Sequence, residues 1–97
     1  MRISILTIRG LVQGVGFRPF IYRIANEMKI KGEVGNRNNG VSIRAILTPE
    51  QRELFISRIR NEHPAVASIH SVQWEEADVA DTDYPDFMIT PSRSDSE

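Results

Sequence analysis

The order in which the hydrophobic spacing changes along this chain is the feature that most restricts its fold. Alternating or β-branched stretches predict four strands and a short fifth, at residues 3–9, 32–36, 40–47, 66–75 and 87–89. Spacing of three and four residues predicts two helices, at about residues 19–29 and from Thr48 to residues 61–64. The order β-α-β-β-α-β is typical of an α+β, ferredoxin-like (split β-α-β) sandwich, in which an antiparallel sheet carries both helices on one face.

Short motifs mark where these elements begin and end. The second and third strands are joined by Asn38-Asn39-Gly40, and Asn-Gly favours the positive φ angles of a type I′ hairpin turn. A capping box at the start of the second helix is predicted by Thr48-Pro49-Glu50-Gln51. The first helix is expected to end shortly before Gly32, since glycine is the residue most common just after a helix.

Further expectations concern burial in the second half of the chain. The second helix is predicted to bury a stripe of Leu54, Phe55 and Ile59. Apolar residues of the fourth strand break strict alternation, which indicates a β-bulge, and Trp74 is expected in the core. Residues 75–86 are rich in acidic side chains and are predicted to form a solvated loop.

A glycine-rich turn between the first strand and the first helix is the candidate functional site. Gly14 and Gly16 can adopt backbone angles closed to other residues and allow a ligand close to the main chain. Arg18 follows at the helix start, where unpaired N–H groups and the positive end of the helix dipole favour a phosphate or carboxylate. The turn lacks the Gly-x-x-x-x-Gly-Lys order of a Walker loop and the Gly-x-Gly-x-x-Gly of a dinucleotide site. From spacing alone, a glycine turn with a solvated arginine is an equally good interpretation.

The predicted topology brings a second polar residue to this turn. In a split β-α-β sandwich the first two strands run in the same direction, so their ends lie at one edge of the sheet. Asn36 ends the second strand, and its amide is therefore expected within reach of an anion held by the loop. The alternative is a strand-end asparagine that makes a local turn hydrogen bond.

Composition narrows the class of ligand. With 97 residues the chain has room for one domain, which we place at residues 1–91, with residues 92–97 as a polar tail or the start of a linker to downstream domains. Residues 1–46 carry a net charge of +6 and residues 47–97 carry −7, so the turn lies in the basic half. The total of −1 argues against a nucleic-acid partner.

The absence of cysteine excludes thiolate metal sites, and the absence of a run of about 20 apolar residues argues against a membrane partner. We predict a cytoplasmic location.

The loop sequence resembles the signature of a known family. Residues 12–18 read Val-Gln-Gly-Val-Gly-Phe-Arg, which is similar to the phosphate-binding loop of acylphosphatases, and residues 32–36 and 39–41 match the second motif of that family. The resemblance covers roughly residues 3–90. Pro19-Phe20 resembles the acylphosphatase-like N-terminal domains of HypF carbamoyltransferases, which take part in maturation of nickel–iron hydrogenases. One departure from the family pattern matters, since the second motif has Asn39-Gly40 in place of the usual Asp-Gly, and asparagine serves the turn equally well.

The resemblance implies a role for each site residue. Arg18 and the main-chain N–H groups of the loop would bind phosphate, and Asn36 would orient the water that attacks phosphorus. The phosphate-binding loop comprises Gln13, Gly14, Val15, Gly16, Phe17 and Arg18. Acyl phosphate hydrolysis in this family uses no metal or other cofactor, and the HypF domain acts on carbamoyl phosphate. Two alternatives stay open, a free-standing acylphosphatase and a module that binds carbamoyl phosphate with little activity alone.

Overall fold

The computed structural model shows the predicted order of elements. It describes residues 2–38, 40–79 and 84–90. Within these residues the chain forms five strands and two helices. They are β1 (Arg2–Leu11), α1 (Phe17–Glu27), β2 (Lys31–Arg37), β3 (Gly40–Ile46), α2 (Pro49–Glu62), β4 (Ser68–Asp78) and β5 (Phe87–Ile89).

The sheet has the strand order β4-β1-β3-β2-β5, which contains the ferredoxin-like arrangement of the first four strands. Those four pair antiparallel, as predicted, and β5 adds a parallel edge, so the whole sheet is mixed. The direction of β5 follows from β4. Because β4 runs opposite to β2, it ends where β2 begins, and a strand that enters there runs alongside β2, with Phe87 opposite Gly32.

One face of the sheet and both helices share a single hydrophobic core. The sheet contributes Leu6, Ile8, Val34, Val41, Ile43 and Ala45, the first helix Phe17, Phe20, Ile21, Ile24 and Ala25, and the second Phe55 and Ile59. The two-layer sandwich is therefore confirmed, with both helices on the same face.

The buried stripe of α2 differs from the prediction at one position. Leu54 is 54% exposed, whereas Arg52 is only 8% exposed and faces inward with Phe55 and Ile59. The inward positions are thus spaced by three and four residues, and Leu54 lies about 100° away from its buried neighbour around the helix. The stripe was predicted wrongly because its first inward position is occupied by a charged residue, which a search for hydrophobic residues passes over.

Arg52 is accommodated by contacts with the two strands at this side of the sheet. Its guanidinium carbon lies 3.6 Å from the ring centre of Trp74, and Nη1 donates to Ser4 Oγ at 3.3 Å and Glu76 Oε2 at 3.1 Å. Trp74 is 48% exposed, so the expectation that it lies in the core was wrong. It covers the buried arginine from the solvent side, which is a favourable cation–π arrangement.

Both ends of α1 are displaced from their predicted positions. The helix begins at Phe17, which places Pro19 third rather than first, and proline is tolerated there because first-turn N–H groups have no helical acceptor. It ends at Glu27. Lys29, with φ of 60°, takes the left-handed position expected of a glycine, and the N–H of Ile30 donates to the Ala25 carbonyl. Burial of Ile30 completes this Schellman turn without Gly32.

β4 extends further than expected. Residues 75–78 belong to the strand rather than to a loop, and the predicted bulge is present, because Arg9 pairs with Ser71 whereas Gly10 pairs with Ile69. The acidic side chains are compatible with this strand because β4 is an edge strand.

The remaining local signals are confirmed where the structure describes them. Thr48 and Gln51 form the reciprocal bonds of a capping box, and Arg37 pairs with Gly40 across the β2–β3 hairpin. The predicted type I′ turn involves Asn39, which lies outside the described residues, so the turn type stays a prediction. Residues 91–97 also lie outside them, so the domain boundary at residue 91 stays a prediction as well. Neither described helix is long and apolar enough to cross a membrane.

Candidate active site

Two left-handed glycines shape the turn between β1 and α1. Gly14 has φ of 75° and Gly16 has φ of 78°, and a Cβ at either position would meet no heavy atom within 4 Å. The need for glycine here is therefore one of backbone conformation and not of space. The two residues turn the chain from the direction of the strand into that of the helix.

Buried residues fix both ends of this turn. Val12 and Phe17 are each only 1% exposed, and the ring centre of Phe17 lies 5.6 Å from that of Phe20 inside the core. Between these anchors, Val15 packs partly against the same core. The main chain of the turn is thus held at the surface over the start of α1.

The start of α1 carries no side chain that satisfies its N–H groups. Gly16 occupies the N-cap position and makes no side-chain cap bond, and the first turn contains no acidic residue. Free N–H groups and the positive end of the helix dipole attract an anion at such a terminus. The electrostatic feature predicted from the sequence is present.

Arg18, the second residue of α1, is half-buried and has a defined partner. Its Nη1 donates to the carbonyl oxygen of Thr90 at 3.0 Å. A guanidinium has five N–H donors in a planar fork, so this one bond fixes the orientation of the side chain and leaves other donors for a ligand. Arg18 is therefore not a freely solvated side chain.

Thr90 connects Arg18 to β2. It follows β5 directly, and its N–H and its hydroxyl both donate to the Val34 carbonyl, at 2.8 Å and 3.1 Å. A Cβ added to Gly35 would collide with Thr90 Oγ1. The absence of a side chain at Gly35 thus lets Thr90 lie directly against β2, and Arg18 reaches the same strand through it.

Asn36 is the next residue of β2 and is half-buried. A shallow cavity of about 150 Å³ lies beside it, and its lining residues are Glu33, Gly35, Asn36, Arg37, Ser42, Arg44 and Thr90. Most of these alternate with buried residues of β2 and β3, so the cavity lies on the sheet face opposite the core, and residues 13–18 do not line it. Arg18 and Asn36 are distant in the sequence, and the fold places both beside Thr90. The loop does meet the end of β2, because Gln13 donates to the Arg37 carbonyl. The placement of Arg18 and Asn36 around one anion, and their catalytic roles, stay predictions.

The side chain of Gln13 reaches the hairpin rather than the centre of the loop. Its Nε2 donates to the carbonyl of Arg37 and, at 2.7 Å, to the carbonyl of Gly40. The sequence suggested only a main-chain contribution from this residue. The structure shows a side-chain link from the loop to the strand that carries Asn36.

Charges of both signs lie near Asn36, and the charge that bears on the loop is that of Arg18. Arg37 and Arg44 line the cavity beside Asn36 together with Glu33, which accepts a hydrogen bond from the Tyr84 hydroxyl at 3.3 Å. In the described part of the chain every ion pair involves Arg2, Arg23, Arg52 or Arg58. The positive charge of Arg18 is therefore not neutralised by a carboxylate of the residues described.

Thr90 is the site residue that sequence reasoning missed. Its contribution depends on the pairing of β5 with β2, and no local pattern says which sheet edge a three-residue strand will join. Its position after a short terminal strand was visible, but its contact with Arg18 was not.

Comparison with known proteins agrees with this geometry. The acylphosphatase family profile matches residues 5–89, which span the loop, β2 and β5. The chain belongs to the acylphosphatase family. The resemblance seen in the loop and in the second motif is thereby confirmed, and the chain is an acylphosphatase domain of ferredoxin-like fold.

Relatives of this acylphosphatase domain occur in two settings. It is 37% identical over 89 residues to a probable carbamoyltransferase HypF of Methanocaldococcus jannaschii, which covers 92% of this chain and 12% of the relative. It is 39% identical over 92 residues to an acylphosphatase of Pseudothermotoga lettingae, which covers 94% of this chain and 100% of the relative. The chain thus spans about an eighth of the first relative and the whole of the second.

A solved structure shows the same backbone arrangement. The crystal structure of full-length HypF in a phosphate- and nucleotide-bound form superposes with a TM-score of 0.83 at 36% identity, over 94% of this chain and 12% of that one. The likeness to both HypF and free acylphosphatases, expected from the sequence, is confirmed.

Proposed function

We propose that this acylphosphatase domain hydrolyses acyl phosphates and that, as part of a HypF-type carbamoyltransferase, its substrate is carbamoyl phosphate. The observation that carries the proposal is the position of Arg18. It lies at the uncapped start of α1, beside a left-handed glycine turn, with its guanidinium held by Thr90 next to β2. This arrangement presents a fixed positive charge and main-chain donors to a phosphoryl group.

The loop and Arg18 act on the phosphoryl oxygens in this mechanism. Main-chain N–H groups of residues 13–17 donate to these oxygens, and the free edge of the Arg18 guanidinium adds charge-assisted hydrogen bonds. Phosphoryl transfer depends mainly on positioning and on neutralising the charge of the equatorial oxygens, so the contacts strengthen as charge develops.

Asn36 acts on the attacking water. Its carboxamide holds a water in line with the bond between phosphorus and the acyl oxygen. The water oxygen bonds to phosphorus, the bond to the acyl oxygen breaks with its electron pair on that oxygen, and a proton from the water passes to solvent. The products are inorganic phosphate and a carboxylate, or a carbamate when the substrate is carbamoyl phosphate. The chain needs no metal or other cofactor for this step in our proposal.

The setting of the domain is the second part of the proposal. In a HypF-type chain we propose that downstream domains activate the released carbamate with ATP and pass the carbamoyl group on for assembly of a nickel–iron hydrogenase centre, in the cytoplasm. The phosphate-bound HypF structure supports a phosphate ligand for a domain of this kind within a longer chain. The Pseudothermotoga lettingae acylphosphatase, which this chain matches over its full length, is the precedent for the alternative of a free-standing enzyme. The reading frame beyond Glu97 distinguishes them, since Cys-x-x-Cys motifs there would support the HypF assignment and a stop codon would oppose it.

Substitution of Arg18 tests the catalytic proposal. Arg18→Ala should lower kcat/KM for carbamoyl phosphate or benzoyl phosphate by about 2–3 kcal/mol or more, which is roughly 30- to 150-fold, because a charge-assisted contact to the phosphoryl group is lost. Arg60→Ala on α2 removes the same charge from an exposed position and serves as the control. Equal turnover in the wild type and in Arg18→Ala would contradict the proposed site.

The same assay separates catalysis from capture. A domain that only binds carbamoyl phosphate for a neighbouring domain would be protected from thermal unfolding by inorganic phosphate, because ligand binding stabilises the folded state. Its turnover would stay at the background rate. Asn36→Ala should then change nothing, whereas in a hydrolase it should lower kcat and leave phosphate protection in place.

A further inference from the structure

We propose that the Gln13 side chain is a positioning residue that clamps the phosphate loop to the β2–β3 hairpin and so fixes the loop relative to Asn36. The inference rests on the proposed function and adds to it a role for the Gln13 side chain, which acts by holding the loop main chain and Asn36 in place. Its basis is the pair of hydrogen bonds from Gln13 Nε2 to the carbonyls of Arg37 and Gly40.

The two acceptors lie at the base of the hairpin. Arg37 and Gly40 pair with each other as the last residue of β2 and the first of β3. Arg37 is also bonded covalently to Asn36. A side chain that holds both carbonyls therefore holds the end of the strand that carries Asn36, and it does so from the residue immediately before Gly14.

The geometry separates this role from direct binding of substrate. The amide nitrogen of glutamine has two N–H donors, and both are directed at main-chain carbonyls. The remaining Oε1 is an acceptor and cannot donate to a phosphoryl oxygen. While the clamp is formed, only the main chain of Gln13 is available to the anion.

The rest of the turn offers little that could replace this clamp. Val12 and Phe17 bury the two ends of the turn in the core, and the glycines between them have no side chains. Among the side chains described for residues 12–16, that of Gln13 alone makes a hydrogen bond. Without it, residues 12–16 have no side-chain hydrogen bond to the hairpin among the described residues, and the remaining links are the pairing of β1 with β3 and the contact of Arg18 with Thr90. Displacement of a reacting group by about 1 Å can cost about 10²-fold in rate.

A neutral substitution tests the clamp. Gln13→Met keeps the length of the side chain, removes both donors and adds no charge. We expect kcat for benzoyl phosphate to fall by about 10- to 100-fold. KM and the inhibition constant of inorganic phosphate should change by less than about threefold, because Arg18 and the main-chain donors remain. Gln73→Met, on the exposed part of β4, is the matched control and should behave as the wild type.

A charged substitution adds a second readout. In Gln13→Glu the ionised carboxylate faces two carbonyl oxygens and cannot donate, whereas the protonated carboxyl can donate to one of them. The kcat of this variant relative to the wild type should therefore rise as the pH is lowered from 7 to 5. Gln73→Glu introduces the same charge away from the hairpin, and its ratio to the wild type should stay flat.

Three outcomes would overturn the clamp. They are a Gln13→Met enzyme with kcat within twofold of the wild type, a loss confined to KM, and ¹⁵N order parameters at residues 14–16 that match those of the wild type. A positioning role requires that kcat of Gln13→Met falls, that the loss is not confined to KM, and that the order parameters of residues 14–16 decrease. A wild-type domain without acyl phosphate hydrolysis would instead refute the proposed function, and an active wild type with an active Gln13→Met variant would refute only the clamp.

Discussion

The contact between Thr90 and Gly35 leads to a prediction in which stability and catalysis change together. Gly35 is not among the glycines with positive φ, so its backbone can accept alanine without strain. The obstacle is Thr90 Oγ1, which occupies the space that a Cβ would need, whereas Thr90 Cβ would lie at an ordinary contact distance of 3.5 Å. In Gly35→Ala the hydroxyl of Thr90 must therefore move away.

The size of the effect depends on how Thr90 moves. Rotation of the side chain breaks the 3.1 Å bond from Oγ1 to the Val34 carbonyl, and one neutral hydrogen bond contributes about 0.5–1.5 kcal/mol. The Val34 carbonyl keeps its bond from the Thr90 N–H, so no buried acceptor is left unsatisfied. If the main chain retreats as well, Arg18 loses its carbonyl partner. We expect a loss of about 1 kcal/mol in stability and about 10-fold in kcat.

A double-mutant cycle measured by urea unfolding isolates this contact. Thr90→Ala should cost about 1 kcal/mol alone, because it removes the same hydrogen bond. Gly35→Ala in the Thr90→Ala background should then cost less than about 0.5 kcal/mol, so the two effects are not additive. Thr90→Ser retains the hydroxyl and should be close to the wild type. If the two single effects add to within about 0.3 kcal/mol, the steric argument fails.

Other substitutions test the turn and the packing of the helices. Arg52→Ala should destabilise the fold by about 2–3 kcal/mol in urea unfolding, because it removes a buried guanidinium with its contacts to the Trp74 ring and the Glu76 carboxylate, while kcat of the folded protein stays unchanged. Gly14→Ala should cost about 1–2 kcal/mol through its φ of 75° alone, and Gly14→Asn should cost less. Hydrogen bonds from Arg58 hold the pKa of Glu27 and the pKa of Glu62 below the ordinary 4.5. Their contribution to stability should be complete above that pH and decline as the pH falls through the lowered values, and Arg58→Gln should flatten this dependence in unfolding measured from pH 3 to 7.

Much of the fold could be predicted because its signals are local. The capping box at Thr48 and the alternation in β3 each report on a few neighbouring residues, and the structure confirms them. The same holds for the hairpin between β2 and β3. Local hydrogen bonding and hydrophobic period determine such elements, and the order of elements then restricts the topology to very few solutions.

The errors occurred where residues from different elements meet. Arg52 is buried because Trp74 and Glu76 of another element receive it, and that contact shifted the apparent stripe of α2 toward Leu54. The acidic end of β4 was expected in a loop, although an edge strand can expose such residues to solvent. A charge that is unfavourable in isolation can be stable when a distant segment supplies its partner.

For the active site, the sequence alone determined the glycine turn, the position of Arg18 at the helix start and the expectation that Asn36 lies nearby. Backbone angles that strongly favour glycine and the direction of two parallel strands are enough for that much. Only the tertiary structure decided that Thr90 holds Arg18 and that the Gln13 side chain holds the hairpin. Both contacts join segments more than 20 residues apart, and their partners are main-chain carbonyls, which every residue type has and no sequence pattern distinguishes.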